Sequence, residues 1–289
     1  IRVHNQIRAK AKAGERCALN IVGRGVSEKS IRRGTWLTHS DLCAPTRRID
    51  VNLHVLKTET SSLKHWSPTH LHIGSDHLPA RVAVLSGGNI LPGASGLAQL
   101  VLPRDTFALS GDRFVLRDQS AQRTIAGGYV IDPFSPKRGR ARPSRIAILK
   151  AMRGETTADV LQALATQSET GVPLKPFSIS HNLLAEQIDA LIVSLGLRRV
   201  GEPPNERIFC EARWRGLMNL ILTSLASFHK SSPKFFGASI KDLQALLDIF
   251  FDEGTLNLAL TIMISEKRLC ARRNRFHLPS HNIYISCLL

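Results

Sequence analysis

Residues 111–133 read GDRFVLRDQSAQRTIAGGYVIDP and form the most specific pattern of the chain. Two short β-type runs, 114–116 and 129–131, are bounded by Gly, Asp and Pro, which is typical of strands. A polar, basic loop lies between them and contains Arg117, Asp118, Gln119 and Arg123. Gly127 and Gly128 then allow the backbone to turn or to approach another chain closely. The pattern predicts a hairpin that carries a basic loop.

The residues that precede this hairpin also alternate with the period of a strand. Apolar side chains at 49, 51, 53 and 55 alternate with polar ones at 50, 52 and 54. Residues 80–85 and 96–102 repeat the signal and are separated by Gly- and Pro-rich turns. Several short strands at this spacing predict a β-barrel or sandwich over residues 48–133.

Two strings near the start of the chain extend the β pattern. Residues 13–20 read AGERCALN and begin an apolar run that continues to Val22, whereas residues 31–37 read IRRGTWL. A further strand is expected to start at Val3. Because the chain begins within a strand pattern and without Met, we expect it to be a piece of a longer protein.

After Pro143 the apolar period changes from two to that of a helix. One helix is expected to open at 146–149, a second to start after an N-cap at Thr157, and a third to run over 183–195 and end at Gly196. A two-stranded hairpin over 197–209 follows. Three helices and a hairpin in this order predict a winged helix.

The same order recurs further along the chain. Helices are expected over 214–228, over 240–250 with Ser239 as N-cap, and over 256–264 with Thr255 as N-cap. Residues 267–271 and 275–279 form a second wing. The sequence therefore predicts an α+β multidomain chain: a β-barrel followed by two tandem winged-helix domains.

The hairpin of 111–133 resembles the last hairpin of domain III in translational GTPases, and most closely that of the bacterial selenocysteine-specific elongation factor family. The strings at 13–20 and 31–37 resemble the closing strands of domain II in the same family. Winged helices after domain III are a further feature of that family, which has four of them. The resemblance implies the following segments: the end of domain II (1–47), the domain III barrel (48–133), a basic linker (134–145), winged helix 1 (146–210), winged helix 2 (211–279) and an irregular tail (280–289).

The resemblance also implies a function. Proteins of this family bind GTP with magnesium, deliver selenocysteinyl-tRNA to the ribosome at recoded UGA codons, and read an mRNA hairpin with their terminal winged helices. No G-x-x-x-x-G-K-[ST] phosphate loop occurs in the sequence. We therefore expect this chain to bind no GTP, to be no enzyme, and to supply the tRNA-binding barrel and a winged-helix spacer.

Several side chains acquire expected roles from the resemblance. Arg16 stands where domain II places an arginine in the aminoacyl pocket; alternatively, Arg16 pairs at the barrel edge with Glu15 or with another surface carboxylate. The loop residues are expected to meet the T-stem of tRNA, and these are Arg117, Asp118, Gln119 and Arg123. For Arg123, a staple to the barrel through contacts with carbonyl groups is an equal alternative.

The linker 134–145 holds one Lys and four Arg among twelve residues. Two prolines and a glycine disfavour regular structure there. The cations are candidates for contacts with RNA phosphates, although a solvated hinge explains them equally well. They are Lys137, Arg138, Arg140, Arg142 and Arg145.

The composition agrees with an anionic partner. The formal net charge is +16, from 39 Lys and Arg against 23 Asp and Glu, which favours nucleic acid. A winged-helix DNA-binding transcription regulator is the competing class, but helix 183–195 contains no Lys or Arg to neutralise phosphates.

Other features of the sequence indicate the cellular compartment and argue against a membrane partner and a metal site. Five cysteines without a C-x-x-C pair indicate reduced thiols in the cytoplasm. No apolar run is long enough to span a membrane, so no membrane partner is expected. His70, His72 and His77 invite a metal interpretation, but the sequence offers no Cys or carboxylate set nearby, and we expect no metal site.

Overall fold

The computed structural model describes residues 1–12, 14–27, 29–85, 87–247, 251 and 253–281. Three two-residue strands open the chain, namely β1 (Arg2–Val3), β2 (Gln6–Ile7) and β3 (Cys17–Ala18). They form an antiparallel sheet in the order β2-β1-β3. The expected strand at Val3 is present, whereas the expected run from Cys17 to Val22 is a strand for only two residues. A 3₁₀ turn at Ser40–Leu42 leads to the barrel.

The next eight strands contain the barrel. They are β4 (Thr46–Val55), β5 (Leu63–Lys64), β6 (Ser67–Ile73), β7 (Asp76–Val84), β8 (Asn89–Ile90), β9 (Ser95–Thr106), β10 (Arg113–Arg117) and β11 (Thr124–Asp132). Six of them close in the antiparallel order β10-β11-β4-β9-β7-β6, while β5 and β8 pair as a separate ribbon. Apolar side chains from every barrel strand fill the interior, Leu53, Leu71, Leu100 and Leu116 among them. The predicted hairpin is β10 and β11.

Asp50 departs from the simple alternation on β4. The strand buries Ile49, Val51 and Leu53 inside the barrel, as predicted. Asp50 points to the other face and is nevertheless fully buried, with no exposed side-chain area. A helix covers that face, and this cover could not be inferred from the strand itself.

The helical part of the chain begins at Pro143. Its first elements are α1 (Pro143–Ala151), α2 (Thr157–Gln167), β12 (Val172–Pro173), α3 (Leu174–Ser180), α4 (Ala185–Ser194), β13 (Arg198–Val200) and β14 (Arg207–Phe209). The later elements are α5 (Glu211–Ser231), α6 (Ile240–Leu246), α7 (Glu253–Ser265), β15 (Cys270–Arg272) and β16 (Arg275–His277). The fold class predicted from the sequence is confirmed, and both helical units are compatible with winged helices.

The two units share one order of elements. In the first, α2 precedes β12, two helices follow, and β12 then pairs with the hairpin of β13 and β14. In the second, α5 precedes a single bridge between Ala238 and Phe276 of β16, and α6, α7 and the hairpin follow. Helix α1 stands outside this order: its Leu149 packs with Leu85, Leu97 and Ile131 of the barrel part.

Several expected boundaries need correction. Thr156, not Thr157, caps α2 through a capping box with Asp159. Thr255 lies within α7 rather than at its start, and helix α3 was missed because its sequence LKPFSIS contains a proline and little period. Ser239 caps α6 as expected. Residues 248–250 of the predicted helix and 282–289 of the predicted tail lie outside the described residues.

Helix α1 also shortens the expected linker, since residues 143–145 are already helical. Pro143 at the first turn needs no intrahelical hydrogen bond from its nitrogen, which explains why a proline here starts a helix instead of preventing one. The irregular part of the linker is therefore residues 134–142.

Gly128 lies where two backbones approach closely. It pairs with Leu53 of β4 and with Phe114 of β10. A Cβ atom built on Gly128 would lie 2.0 Å from the carbonyl oxygen of Asn52 and 3.1 Å from the ring of Phe114. The expectation from the sequence that the Gly pair permits close approach is confirmed at this position.

We expect Gly128→Ala to destabilise the barrel by about 1–3 kcal/mol, because the added methyl forces β4 and β11 apart. Chemical denaturation followed by circular dichroism measures the loss. Gly88→Ala is the matched control, since no atom lies within 4 Å of its added Cβ. Equal stability of the two variants would contradict this description of the β4–β11 contact.

A buried ion cluster joins α1 to the barrel. Arg145 donates from Nε and Nη2 to one oxygen of Asp50, at 3.1 and 2.5 Å, and from Nη2 to Asp132 at 2.6 Å. Gln99 donates to the other oxygen of Asp50 at 2.9 Å. Only 14% of the Arg145 side chain is exposed. We call these four residues the Arg145 cluster.

The charges of the Arg145 cluster depend on one another. Burial raises the pKa of Asp50, and the hydrogen bonds from Arg145 and Gln99 oppose that rise. Burial also works to lower the pKa of Arg145, but Asp132 and Asp50 outweigh it and raise that pKa above its ordinary value. Arg145 therefore remains a cation, and its removal would leave two carboxylates buried without their partner.

We expect Arg145→Met to lower the free energy of unfolding by about 3–5 kcal/mol, since breaking a buried ion pair costs more than the pair contributes. Arg142→Met, one turn earlier, removes an exposed arginine for which no ion pair is found in the described part of the chain. That variant should unfold like the wild type. A small, equal effect of both substitutions in chemical denaturation would show that the cluster does not join α1 to the barrel.

Candidate nucleic-acid interface

Asp118 organises the loop between β10 and β11. Its carboxylate accepts hydrogen bonds from the backbone N–H groups of Gln122 at 2.9 Å and Arg123 at 3.3 Å, and from the hydroxyl of Ser120 at 2.9 Å. Loss of hydration raises the pKa of Asp118, but these bonds outweigh it and bring the pKa below its ordinary value. Asp118 is thus an ionised acceptor that shapes the loop from within.

Arg117 closes the same loop from the other side. It is half-buried, and its Nη1 donates to the carbonyl oxygen of Ala121 at 3.1 Å. Ala121 has a φ of +56°, so the chain reverses sharply at that residue. Gln119 is exposed, and in the described part of the chain no acceptor is found for its backbone N–H. The tip of the loop therefore offers an amide donor beside a guanidinium group.

Arg123 ties the loop to the connection that follows β4. It forms an ion pair with Glu59 and lies 3.7 Å from Asp118, while 61% of its side chain remains exposed. Of the two alternatives left open by the sequence, this geometry favours a staple to the barrel, but the partner is the carboxylate of Glu59 and not the carbonyl groups that the alternative named. The carboxylates of Glu59 and Asp118 largely balance the positive charge of Arg123 in the unbound protein.

The five cationic residues of the linker have three different surroundings. Lys137, Arg138 and Arg142 are exposed, and no ion pair joins them to a described residue. Arg140 is half-buried beside Trp66 and donates to Gln99 at 3.4 Å. Arg145 belongs to the buried Arg145 cluster, which corrects its assignment as an RNA contact: its guanidinium group is committed to Asp50 and Asp132.

Arg16 lies next to β3 in the N-terminal sheet and is exposed. Its alternative partner, Glu15, binds Arg8 at 3.2 Å and the backbone N–H of Lys12 at 2.6 Å instead. The alternative pairing of Arg16 with Glu15 is therefore not found. Arg16 remains a cation without an ion pair to any described residue.

Trp66 is a surface feature that the sequence did not single out. It occupies the turn between β5 and β6, and 44% of it is exposed. The guanidinium carbon of Arg140 lies 5.5 Å from its ring centroid. Neither the exposure of an indole ring nor its contact with a residue 74 positions later leaves a signal in the local pattern.

The histidines do not assemble a metal centre. His70 and His72 share the outer face of β6, as expected, and the rings of His72 and His77 stack at 5.9 Å. Burial, and then the charge of Arg117, lowers the pKa of His72. Within the described residues, no group of three or more His, Cys, Asp or Glu side chains could hold a metal ion.

Comparisons with known proteins agree with the order of these elements. Residues 47–137 match the protein family described as selenocysteine-specific elongation factor, beta-barrel domain. The barrel is therefore similar to the β-barrel domain of selenocysteine-specific elongation factors. The match covers the barrel strands β4 to β11 and confirms the resemblance drawn from the hairpin.

The similarity to selenocysteine-specific elongation factors extends beyond the barrel. The chain is 30% identical to the factor of Escherichia coli K12 over 283 residues, which cover 97% of the chain and 43% of that relative. It is 27% identical to the factor of Desulfomicrobium baculatum, over 84% of the chain and 38% of the relative. The chain thus spans about two fifths of the length of these relatives.

A solved structure supports the fold in particular. The crystal structure of the bacterial selenocysteine-specific elongation factor EF-Sec superposes with a TM-score of 0.59 at 13% identity, over 88% of this chain and 38% of that one.

In the described part of the chain, no helix is long and apolar enough to cross a membrane. The matched family describes the β-barrel domain and not a GTPase domain.

Proposed function

We propose that this chain acts in selenocysteine incorporation as the part of an elongation factor that holds selenocysteinyl-tRNA through its barrel. The observation that carries the proposal is the similarity to selenocysteine-specific elongation factors along 97% of the chain. The net charge of +16 supports a polyanionic partner. The ribosome and a cytoplasmic location follow from the same role.

The loop of β10 and β11 is the proposed contact with the T-stem of the tRNA. Arg117 uses one N–H group on Ala121, which leaves further donors of its planar guanidinium for a phosphate. The exposed amide of Gln119 adds a donor that carries no competing charge. Asp118 is already engaged within the loop, but a carboxylate has more acceptor sites than the loop uses, so it can also accept from a ribose 2′-hydroxyl. Arg123, balanced by Glu59, contributes less.

The linker adds a second electrostatic contact. Lys137, Arg138 and Arg142 are exposed on the segment that leaves the barrel and are the proposed phosphate contacts there. Such contacts position RNA without reading its sequence. Arg140 is a further proposed phosphate contact, whereas Arg145 stabilises the fold through its buried ion pairs.

The remaining functions of the family are assigned to parts other than this chain. GTP and magnesium binding need a phosphate loop, which this sequence does not contain. The mRNA hairpin is assigned to further winged helices, and the two helical units here serve as a spacer. We propose no enzymatic activity, cofactor or metal for the chain itself.

A DNA-binding regulator is the weaker alternative. Helix α4, the candidate recognition helix of the first unit, contains Glu186 and Asp189 and no Lys or Arg. Asp189 forms an ion pair with Arg199 of the wing at 2.8 Å. This pair reduces the positive charge that the wing could offer to DNA phosphates. An acidic recognition helix opposes entry into a major groove lined by phosphates.

Binding of tRNA and of duplex DNA at several salt concentrations tests the proposal. We expect selenocysteine tRNA to bind more tightly than a duplex DNA of equal charge. Arg117→Ala should weaken tRNA binding and reduce the slope of log K against log salt concentration by about one phosphate contact. Arg113→Ala, at the other end of the same strand, is the control and should leave both unchanged. Equal affinity for tRNA and DNA would argue for the regulator.

Arg16 provides a test of amino-acid recognition. A selenol is ionised at neutral pH, so a fixed cation in an aminoacyl pocket favours it over a serine hydroxyl. We expect Arg16→Ala to reduce the affinity for selenocysteinyl-tRNA more than that for seryl-tRNA, and Arg8→Ala, whose cation is already paired with Glu15, to change neither. Equal losses for the two tRNAs on replacing Arg16 would exclude a role in reading the selenol.

A further inference from the structure

Trp66 has a backbone conformation that large side chains rarely adopt. It is the second residue of the tight turn between β5 and β6, with a φ of +68°. That region favours glycine and asparagine, and a bulky residue in it is an outlier. Residues held in such a conformation cluster at ligand sites, where the surrounding structure keeps them in place.

The surrounding structure does hold this turn firmly. The N–H group of Trp66 donates to the carbonyl oxygen of Val82 at 2.6 Å, and Nη1 of Arg81 donates to the carbonyl oxygen of Trp66 at 3.3 Å. The N–H group of His65 donates to Gly88 at 3.1 Å. The indole ring is thus placed on a rigid base although nearly half of it is exposed.

The ring has a cation on one side. The guanidinium carbon of Arg140 lies 5.5 Å from the ring centroid, within the range of a cation–π interaction. Arg140 is itself anchored to Gln99. The arginine therefore restrains the orientation of the ring and places positive charge next to its exposed area.

Trp66 also lies between the two proposed RNA contacts. Ser67 and Pro68, the next two residues, line the same surface cleft as Asp118, Gln119 and Arg123 of the loop. On the other side, Arg140 belongs to the linker. The neighbouring cations Lys64, Arg81 and Arg138 are exposed. An anionic ligand that extends from the loop to the linker has to pass this ring.

We propose that Trp66 is a stacking platform for one unpaired base of the bound RNA, with Arg81 and Arg140 on the adjoining phosphates. Aromatic faces stack on any base, and the combination with a positively charged groove is the usual way in which single-stranded nucleic acid is held. The proposal rests on the proposed function and adds to it a site for a base that lies outside a duplex. Trp and Arg are also frequent in protein interfaces, but the two arginines in contact with Trp66, Arg81 and Arg140, favour RNA.

The test compares the wild type with Trp66→Gly and Trp66→Phe, using fluorescently labelled single-stranded hexaribonucleotides, a short RNA duplex and selenocysteine tRNA. Trp66→Gly removes the ring and at the same time relieves the strain of the positive φ, and its affinity for the duplex checks that the fold is kept. We expect it to bind the hexamers at least fivefold more weakly, and the duplex with unchanged affinity. Trp66→Phe keeps an aromatic face and should bind within about twofold of the wild type.

The salt dependence of RNA binding distinguishes base stacking on Trp66 from contacts between cations and phosphates. Because stacking releases no counterions, Trp66→Gly should leave the slope of log K against log salt concentration unchanged. Arg140→Ala should reduce that slope by about one contact. Leu91→Ala removes another exposed apolar side chain (64% exposed) and is the control, with no expected effect on the hexamers.

Fluorescence gives an independent reading. Trp214 is buried and Trp36 is half-buried, so in a Trp36→Phe background quenching by the hexamers reports on Trp66. Hexamer affinity that is the same for Trp66→Gly and the wild type, without quenching, would overturn the platform while tRNA binding upheld the proposed function. A wild type that binds no RNA would overturn both.

Discussion

The ion pairs of Arg145 with Asp50 and Asp132 connect the barrel to everything that follows it. Burying three charges is expensive, and the cost is offset only because the carboxylates share one guanidinium group and Gln99 satisfies a further oxygen of Asp50. Gln99 also donates to the carbonyl oxygen of Pro136 at 3.2 Å and accepts from Arg140. One network therefore extends from β4 and β9 through the linker into α1.

This network has a consequence at the surface. Because Gln99 is fully buried and bonded to Asp50, Pro136 and Arg140, the buried network on the outer face of the barrel restrains the position of Arg140. Arg140 in turn lies beside the ring of Trp66. A buried polar network, which contributes little net stability on its own, thus positions a cation and an aromatic ring that face the solvent together.

The two helical units are coupled by a shared core. Val200 and Phe209 of the first wing pack with Trp214, Leu217 and other residues of the second unit. The rings of Phe209 and Trp214 meet edge to face at 5.5 Å. Since the wing of one unit completes the core of the next, the pair is better described as one continuous structural unit than as two domains on a free hinge.

Local pattern was sufficient for most of the order of the elements, although it missed α3. Alternation on β4, the loop between β10 and β11, the capping box at Ser239 and the paired wings each depend on neighbours a few residues apart. The sequence of residues 111–133 was enough to indicate the family that the barrel matches. These features are determined locally because strand periodicity, turn formation and helix capping depend on interactions between residues that are close in sequence.

Tertiary structure alone decided which charges are available to a partner. The linker arginines look alike in sequence, yet Arg145 is buried against Asp50, a residue 95 positions away, whereas Arg142 is exposed. Arg123 is balanced by Glu59, and Arg16 is not balanced by its neighbour Glu15. The exposure of Trp66 likewise follows from a turn held by Val82 and Arg81. Ion pairing and burial depend on residues that approach only when the barrel closes, so no local pattern contains them.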